Sequence, residues 1–238
     1  DLTHRFPGGI KGVDKVSLSI RKGAFVIMAG PNGSGKTTLL RHLNGLVMPS
    51  EGDVRIKGIP VKGNLLRARR MVGMVFQDAD SQIVGETVRE DVAFGPENLG
   101  LEPCMVDQQT DWALTKVGMS HKADVSPHLL SGGEKRRLAI AGVLSMQPEI
   151  ILFDEPFSNL DYPGICQVAD QMKALKRDGH TIVVTSHYLD PIIGLADRLV
   201  VMDRGRIVRD GKPLLDIREA VSFGIRPIVE RNLNTIAT

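Results

Sequence analysis

The residues best suited to chemistry stand together at Gly30-Pro31-Asn32-Gly33-Ser34-Gly35-Lys36-Thr37. This octapeptide follows the P-loop pattern G-x-x-x-x-G-K-S/T. Glycines let successive backbone N–H groups converge on phosphate oxygens without obstruction by Cβ. A helix opening at the end of the loop adds about half a positive charge at its N-terminus. Lys36 then reaches β- and γ-phosphates, and the Thr37 hydroxyl is a ligand for Mg²⁺. Without nucleotide, Lys36 is expected to be an exposed charge. A glycine-rich turn with an incidental lysine would carry the same letters, so context decides. The continuous apolar run Phe25–Ala29 precedes the loop, and Leu39, Leu40, Leu43 and Leu46 follow at helical spacing. The loop reads as a nucleoside triphosphate site.

Two acids complete that chemistry. Ile150-Ile151-Leu152-Phe153 reads as a buried strand, and it ends in Asp154 and Glu155. Ligands of open α/β sheets sit beyond the carboxyl ends of the strands. Asp154 there suits Mg²⁺, held directly or through water, and Glu155 suits the orientation or deprotonation of an attacking water. A further anion site is written in Leu130-Ser131-Gly132-Gly133-Glu134. Ser131 and Glu134 have capping-box spacing. A cap alone does not require two consecutive glycines, whereas bare amides beside a hydroxyl suit a phosphate.

Elements that position these residues alternate along the chain, which argues for an α/β fold. Val72–Phe76, Thr181–Thr185 and Leu199–Met202 read as further buried strands, and Val16, Leu18 and Ile20 as a half-buried one. Between Phe76 and Ile150 the patterns are helical: Val88–Phe94, about Met105–Val117 and Glu134–Met146. Ile165, Val168, Met172 and Leu175 mark another amphipathic helix, with Gly179 placed to end it. Asp203-Arg204-Gly205 reads as a hairpin turn, and residues 214–238 as short helices. The expected layout is one domain over 1–238 with a helical insertion at about 84–147.

The signature pentapeptide resembles the LSGGQ motif of ATP-binding-cassette ATPases, and other motifs follow in the family's order. Gln77 resembles the Q-loop glutamine, Ser158-Asn159-Leu160-Asp161 the D-loop and His187 the switch histidine, while Phe6 stands where the family stacks an aromatic ring on adenine. Glu134 replaces the commoner glutamine, Phe157 stands where many members have threonine, and the first strand is cut short before Phe6. The resemblance implies a P-loop NTPase core with an antiparallel β subdomain and an inserted helical signature subdomain. It implies ATP contacts from Phe6 and from Gly30 through Thr37 and Thr38. Thr37, Gln77 and Asp154 are the implied Mg²⁺ ligands, and Glu155, His187 and Gln77 the implied catalytic set. Ser131, Gly132, Gly133 and Glu134 would act across a dimer, near Asp161.

Composition narrows the class. Apolar residues make up 42% and charged residues 24%, which suits a folded globular chain. Thirty basic against twenty-eight acidic residues leave a formal charge of +2, too balanced for a dedicated nucleic-acid binder. Cys104 and Cys166 lack metal-ligand spacing and read as free thiols. No stretch reaches the roughly 18 apolar residues of a spanning helix, and no signal peptide is evident. The first residue is Asp1 rather than Met, which leaves the native start open.

A soluble cassette acting on chromosomes would need a long coiled-coil insertion, and one acting on ribosomes a second cassette; neither is written here. The segments Phe76-Gln77-Asp78-Ala79-Asp80-Ser81-Gln82-Ile83-Val84 and Glu90 through Leu101 resemble the ATPases of energy-coupling-factor importers, including cobalt and nickel systems. That resemblance implies a peripheral subunit at the cytoplasmic face of the membrane. Its implied partners are a second ABC ATPase chain, a transmembrane coupling protein and a substrate-binding membrane protein. The cargo would be a transition-metal cation or a vitamin; the alternative is the ATPase of another importer or an exporter. Glu86, Glu90 and Asp91 are expected either to line a groove for basic residues of the coupling protein or to favour a helix dipole. Arg67, Arg69 and Arg70 read as a solvated basic face, with membrane phosphates as the alternative.

Overall fold

Alternate residues of the central strands serve two separate cores. The computed structural model describes residues 1–213 and 221–225. Strands β1 (Leu2–Arg5), β2 (Lys11–Val16) and β3 (Phe25–Ala29) lead to helix α1 (Lys36–Leu43). Then come β4 (Arg55–Ile56), β5 (Ile59–Pro60), α2 (Leu65–Met71) and β6 (Val72–Val75). Helices α3 (Val88–Asn98), α4 (Pro103–Lys116) and α5 (Gly132–Leu144) precede β7 (Ile150–Asp154). The rest is α6 (Tyr162–Arg177), β8 (Thr181–Thr185), β9 (Arg198–Asp203) and β10 (Arg206–Gly211). A six-stranded sheet runs in the order β10-β9-β3-β8-β7-β6. All its pairs are parallel except β9–β10.

Phe25 and Ile27 of β3, Ile151 and Phe153 of β7, and Ile182 and Val184 of β8 face the helices of the insertion and α6. Val26, Met28, Leu152 and Val183 face α1 and the β1–β2 pair. With side chains alternating across the pleat, such a strand must be apolar at every position, which is why these runs are continuous. The P-loop, Asp154 and Thr185 consequently emerge at one end of adjacent parallel strands.

Helix ends follow local chemistry. Asp161 caps α6 by accepting from Gly164 N–H at 3.0 Å. At its other end Gly179 takes φ 88°, while Gly179 N–H bonds Lys176 O and His180 N–H bonds Leu175 O. This is a Schellman stop, as the glycine foretells. Arg204 and Gly205 both have positive φ, so the expected hairpin between β9 and β10 closes as a two-residue turn.

One expected strand is displaced. The ladder partner of β1 is Lys11–Val16, and the segment carrying Leu18 and Ile20 is unpaired. Both side chains still pack partly buried against the core. Their alternation records which side faces inward, which an unpaired extended segment satisfies equally. Helix α1 stops at Leu43, leaving Leu46 beyond it and exposed. Phe157 is buried in the core on the α6 side of the sheet. Among the described residues no helix is long and apolar enough to cross a membrane. The short helices expected at 214–238 lie largely outside the described residues.

Candidate functional site

Bare backbone is what the P-loop offers. Its first glycine, Gly30, has φ 134°, and an added Cβ would lie 2.0 Å from Met202 O. At Gly35, φ 101°, a Cβ would lie 2.3 Å from Gly12 O. No other residue fits these two positions. Gly35 caps α1 without a side-chain bond, so the helix N-terminus keeps free amides for an anion. The Ser34 hydroxyl is buried inside the loop without a partner, a polar group suited to a ligand oxygen. Lys36 is not exposed as expected. It is 6% exposed and donates to Gly30 O at 2.9 Å and Pro31 O at 3.0 Å. Burial pulls its pKa down, while Glu155 and Asp154 push it up.

Asp154 and Glu155 stand where expected but in unequal settings. Asp154 is 2% exposed, and its Oδ1 accepts from Thr37 Oγ1 and Thr185 Oγ1, both at 2.8 Å. Thr185 escaped the sequence reading, although its place at the carboxyl end of the neighbouring parallel strand, paired with Asp154, was the available signal. A hydroxyl and a carboxylate meeting beside the phosphate loop form a hard-oxygen pair of the kind Mg²⁺ takes alongside phosphate. The residues therefore fit the ion. Glu155 has left the strand, with φ 44°, a conformation uncommon outside glycine. Its N–H is held by Thr185 O at 3.1 Å and Thr185 Oγ1 at 3.0 Å. Its carboxylate meets His187, with Nε2 at 3.1 Å from Oε1 and the backbone N–H donating to Oε2 at 3.3 Å. Burial lowers the His187 pKa; Glu155 opposes this and Lys36 adds to it.

The Ser131 turn is a complete capping box. Ser131 Oγ accepts from Glu134 N–H at 3.3 Å, and Glu134 Oε2 accepts from Ser131 N–H at 2.9 Å. Neither following glycine is demanded by the fold. A Cβ on Gly132 would come no closer than 3.9 Å to Asn159 O, and one on Gly133 no closer than 4.0 Å to Gly164 Cα. Their bareness leaves amides open at a helix N-terminus. Glu134 also pairs with Lys122. That ammonium, then the Ser131 N–H, holds the Glu134 carboxyl at about 2. A depressed carboxyl adds its full stability above its unfolded value of 4.5, and loses that contribution progressively as pH falls from there through about 2. Carboxyl NMR titration should place Glu134 near there, and Lys122→Met should move it upward.

Comparison with known proteins now decides the family. The ABC transporter family pattern matches residues 13–158. The chain belongs to this family. It is an ATP-hydrolysing cassette. An energy-coupling factor transporter ATP-binding protein of Clostridium novyi is 49% identical over 204 residues, covering 84% of this chain and 72% of that one. Its counterpart in Methanocaldococcus jannaschii is 44% identical over 216 residues, covering 90% and 77%. Among solved structures, cbiO1 from Clostridium perfringens, part of the ABC transporter complex cbiONQ, superposes with a TM-score of 0.81 at 32% identity, covering 89% and 86%. The dimeric post-hydrolysis cassette MJ0796, bound to ADP and Pi, gives 0.80 at 29%, covering 90% and 97%.

Gln77 is exposed just beyond β6. Phe6 is 43% exposed; its backbone is anchored through N–H to Ile10 O at 2.8 Å, and its ring edges His4. Thr38 O accepts from, or lies against, His42 Nδ1 at 2.6 Å inside α1. Of Glu86, Glu90 and Asp91, two are consumed within the chain. Glu90 completes the capping box of α3 with Thr87, and buried Asp91 accepts from Val84 N–H at 2.7 Å and Gly85 N–H at 3.1 Å. Glu90 fits the reading of a solvated helix start, Asp91 is buried and holds loop amides ahead of α3 instead, and Glu86 of the three remains uncommitted and exposed. Arg67, Arg69 and Arg70 lie exposed on α2.

Proposed function

We propose that this cassette is the ATPase subunit of an energy-coupling-factor importer that takes up a transition-metal cation, cobalt or nickel, or a vitamin. Support comes from the identity to energy-coupling factor ATPases over most of the chain. In this reading it sits at the cytoplasmic face of the membrane, paired with a second ABC ATPase chain. Its membrane partners are a transmembrane coupling protein and a substrate-binding protein; nucleic acid has no role. The chain is one domain with its helical insertion at about 84–147.

ATP is held by the P-loop amides and Lys36, with the adenine beside Phe6. Thr37, Asp154 and Gln77 would hold Mg²⁺, which would supply positive charge against the β- and γ-phosphates. The open turn Ser131-Gly132-Gly133 of one chain closes over the γ-phosphate bound by the other, with Asp161 at the shared boundary. Glu155 takes the proton of the attacking water, and His187 orients that carboxylate through the contact at 3.1 Å. The shared site in this proposal rests above all on that turn, where no described residue outside the turn and its own helix comes within 3.9 Å of a Cβ added at Gly132 or Gly133.

Purification of the native complex through this chain, followed by reconstitution into vesicles, tests the reading. ATP-dependent accumulation of Co²⁺, Ni²⁺ or a vitamin is the expected result. Vesicles that hydrolyse ATP but expel cargo would defeat the importer assignment.

A further inference from the structure

Arg136 is 3% exposed on α5, and its guanidinium forks onto two consecutive carbonyls, Phe76 O and Gln77 O, the latter at 2.6 Å. Those carbonyls belong to the peptides on either side of the Gln77 backbone. Holding both sets the direction in which Gln77 leaves β6. A second side chain locks the same place: Gln82 Oε1 accepts from Phe76 N–H at 2.9 Å, and Gln82 Nε2 donates to Ala139 O at 3.3 Å. Ala139 is again on α5. Lys135 adds an ion pair to Asp80. The loop after β6 is therefore fastened to the helix whose first turn is Ser131-Gly132-Gly133-Glu134.

Packing alone does not explain an arginine here. Among the described residues no carboxylate lies within ion-pair distance of Arg136, and its Nε is buried without a partner. Burying such a charge is costly, and an apolar chain of similar length would fill the space without that cost. What only the planar fork supplies is two parallel donors with fixed geometry.

We propose that Arg136 is a positioning residue for ATP hydrolysis, a rigid link that makes the Gln77 loop and the Ser131 turn move as one body. The inference rests on the role assigned to Gln77 above. It calls for ATP affinity and turnover to be measured side by side for wild type, Gln77→Ala, Arg136→Met and Arg136→Lys, with thermal unfolding of each. Arg136→Met should bind ATP within about twofold of wild type and lose about 10- to 100-fold in kcat, as misplacement without loss of binding does. Arg136→Lys keeps the charge but not the fork, and should fall between, about threefold slow. Wild-type kcat in Gln77→Ala would overturn the role of Gln77 and this link with it. A slow Gln77→Ala beside a folded, fully active Arg136→Met would overturn the link alone. Should Arg136→Met not fold, Arg136→Lys decides: reduced kcat at unchanged affinity supports the link, and wild-type kcat overturns it.

Discussion

Glu155→Gln is expected to hydrolyse ATP at least about 100-fold more slowly than wild type while still binding it. The substitution keeps the shape of the side chain and removes its capacity to accept a proton. Nothing that holds phosphate is touched, because Lys36 and the loop amides belong to another segment. The backbone of residue 155 is fixed by Thr185 through main-chain and hydroxyl contacts, so the local conformation should survive. Binding without turnover should trap an ATP-bound dimer, visible by size-exclusion chromatography. Near-normal single-turnover rates would place the base at another residue.

Mixing two inactive chains should restore about a quarter of full ATPase activity, given random pairing and independent sites. One chain carries Lys36→Ala and loses the phosphate contact; the other carries Ser131→Arg and blocks the open turn. In a mixed pair both defects meet in one site, and the other site is wild type. Lys36 is buried and bonded to Gly30 O and Pro31 O, so the folding of Lys36→Ala must be verified by circular dichroism before mixing. Ser131→Arg that is fully active alone would remove the turn from catalysis.

The P-loop, both acids and the capping box were legible because each is written in contiguous residues of special type, whereas His187 is a lone residue that only the family resemblance singles out. The central strands were legible too, each to within a residue at its ends, since burial on both faces demands unbroken apolar runs such as Phe25–Ala29. What stayed hidden depends on partners far apart in sequence. Thr185 reads as one more strand residue until β8 lies beside β7 and its hydroxyl meets Asp154. Nothing in the sequence singles out Arg136 until α5 carries it under Phe76 and Gln77. The small helix α2 and the β4–β5 hairpin are too short for any period to show. Glu90 and Asp91 looked available to a partner because charge is visible in a sequence and the amides that consume it are not.

The open space at Gly132 and Gly133 separates two properties that usually fail together. Because neither position has a positive φ, and no described residue outside the turn and its own helix lies closer than 3.9 Å to a Cβ added there, the fold itself has no objection to a side chain at either. A chain altered at 132 or 133 would express, melt at the ordinary temperature and resist proteolysis, while the phosphate cradle proposed for that turn was filled from within. Quality control that senses unfolded protein would pass it into the proposed membrane complex. In the pairing proposed above, each such chain would spoil the site it shares, so one silent lesion would reach its neighbour's nucleotide as well.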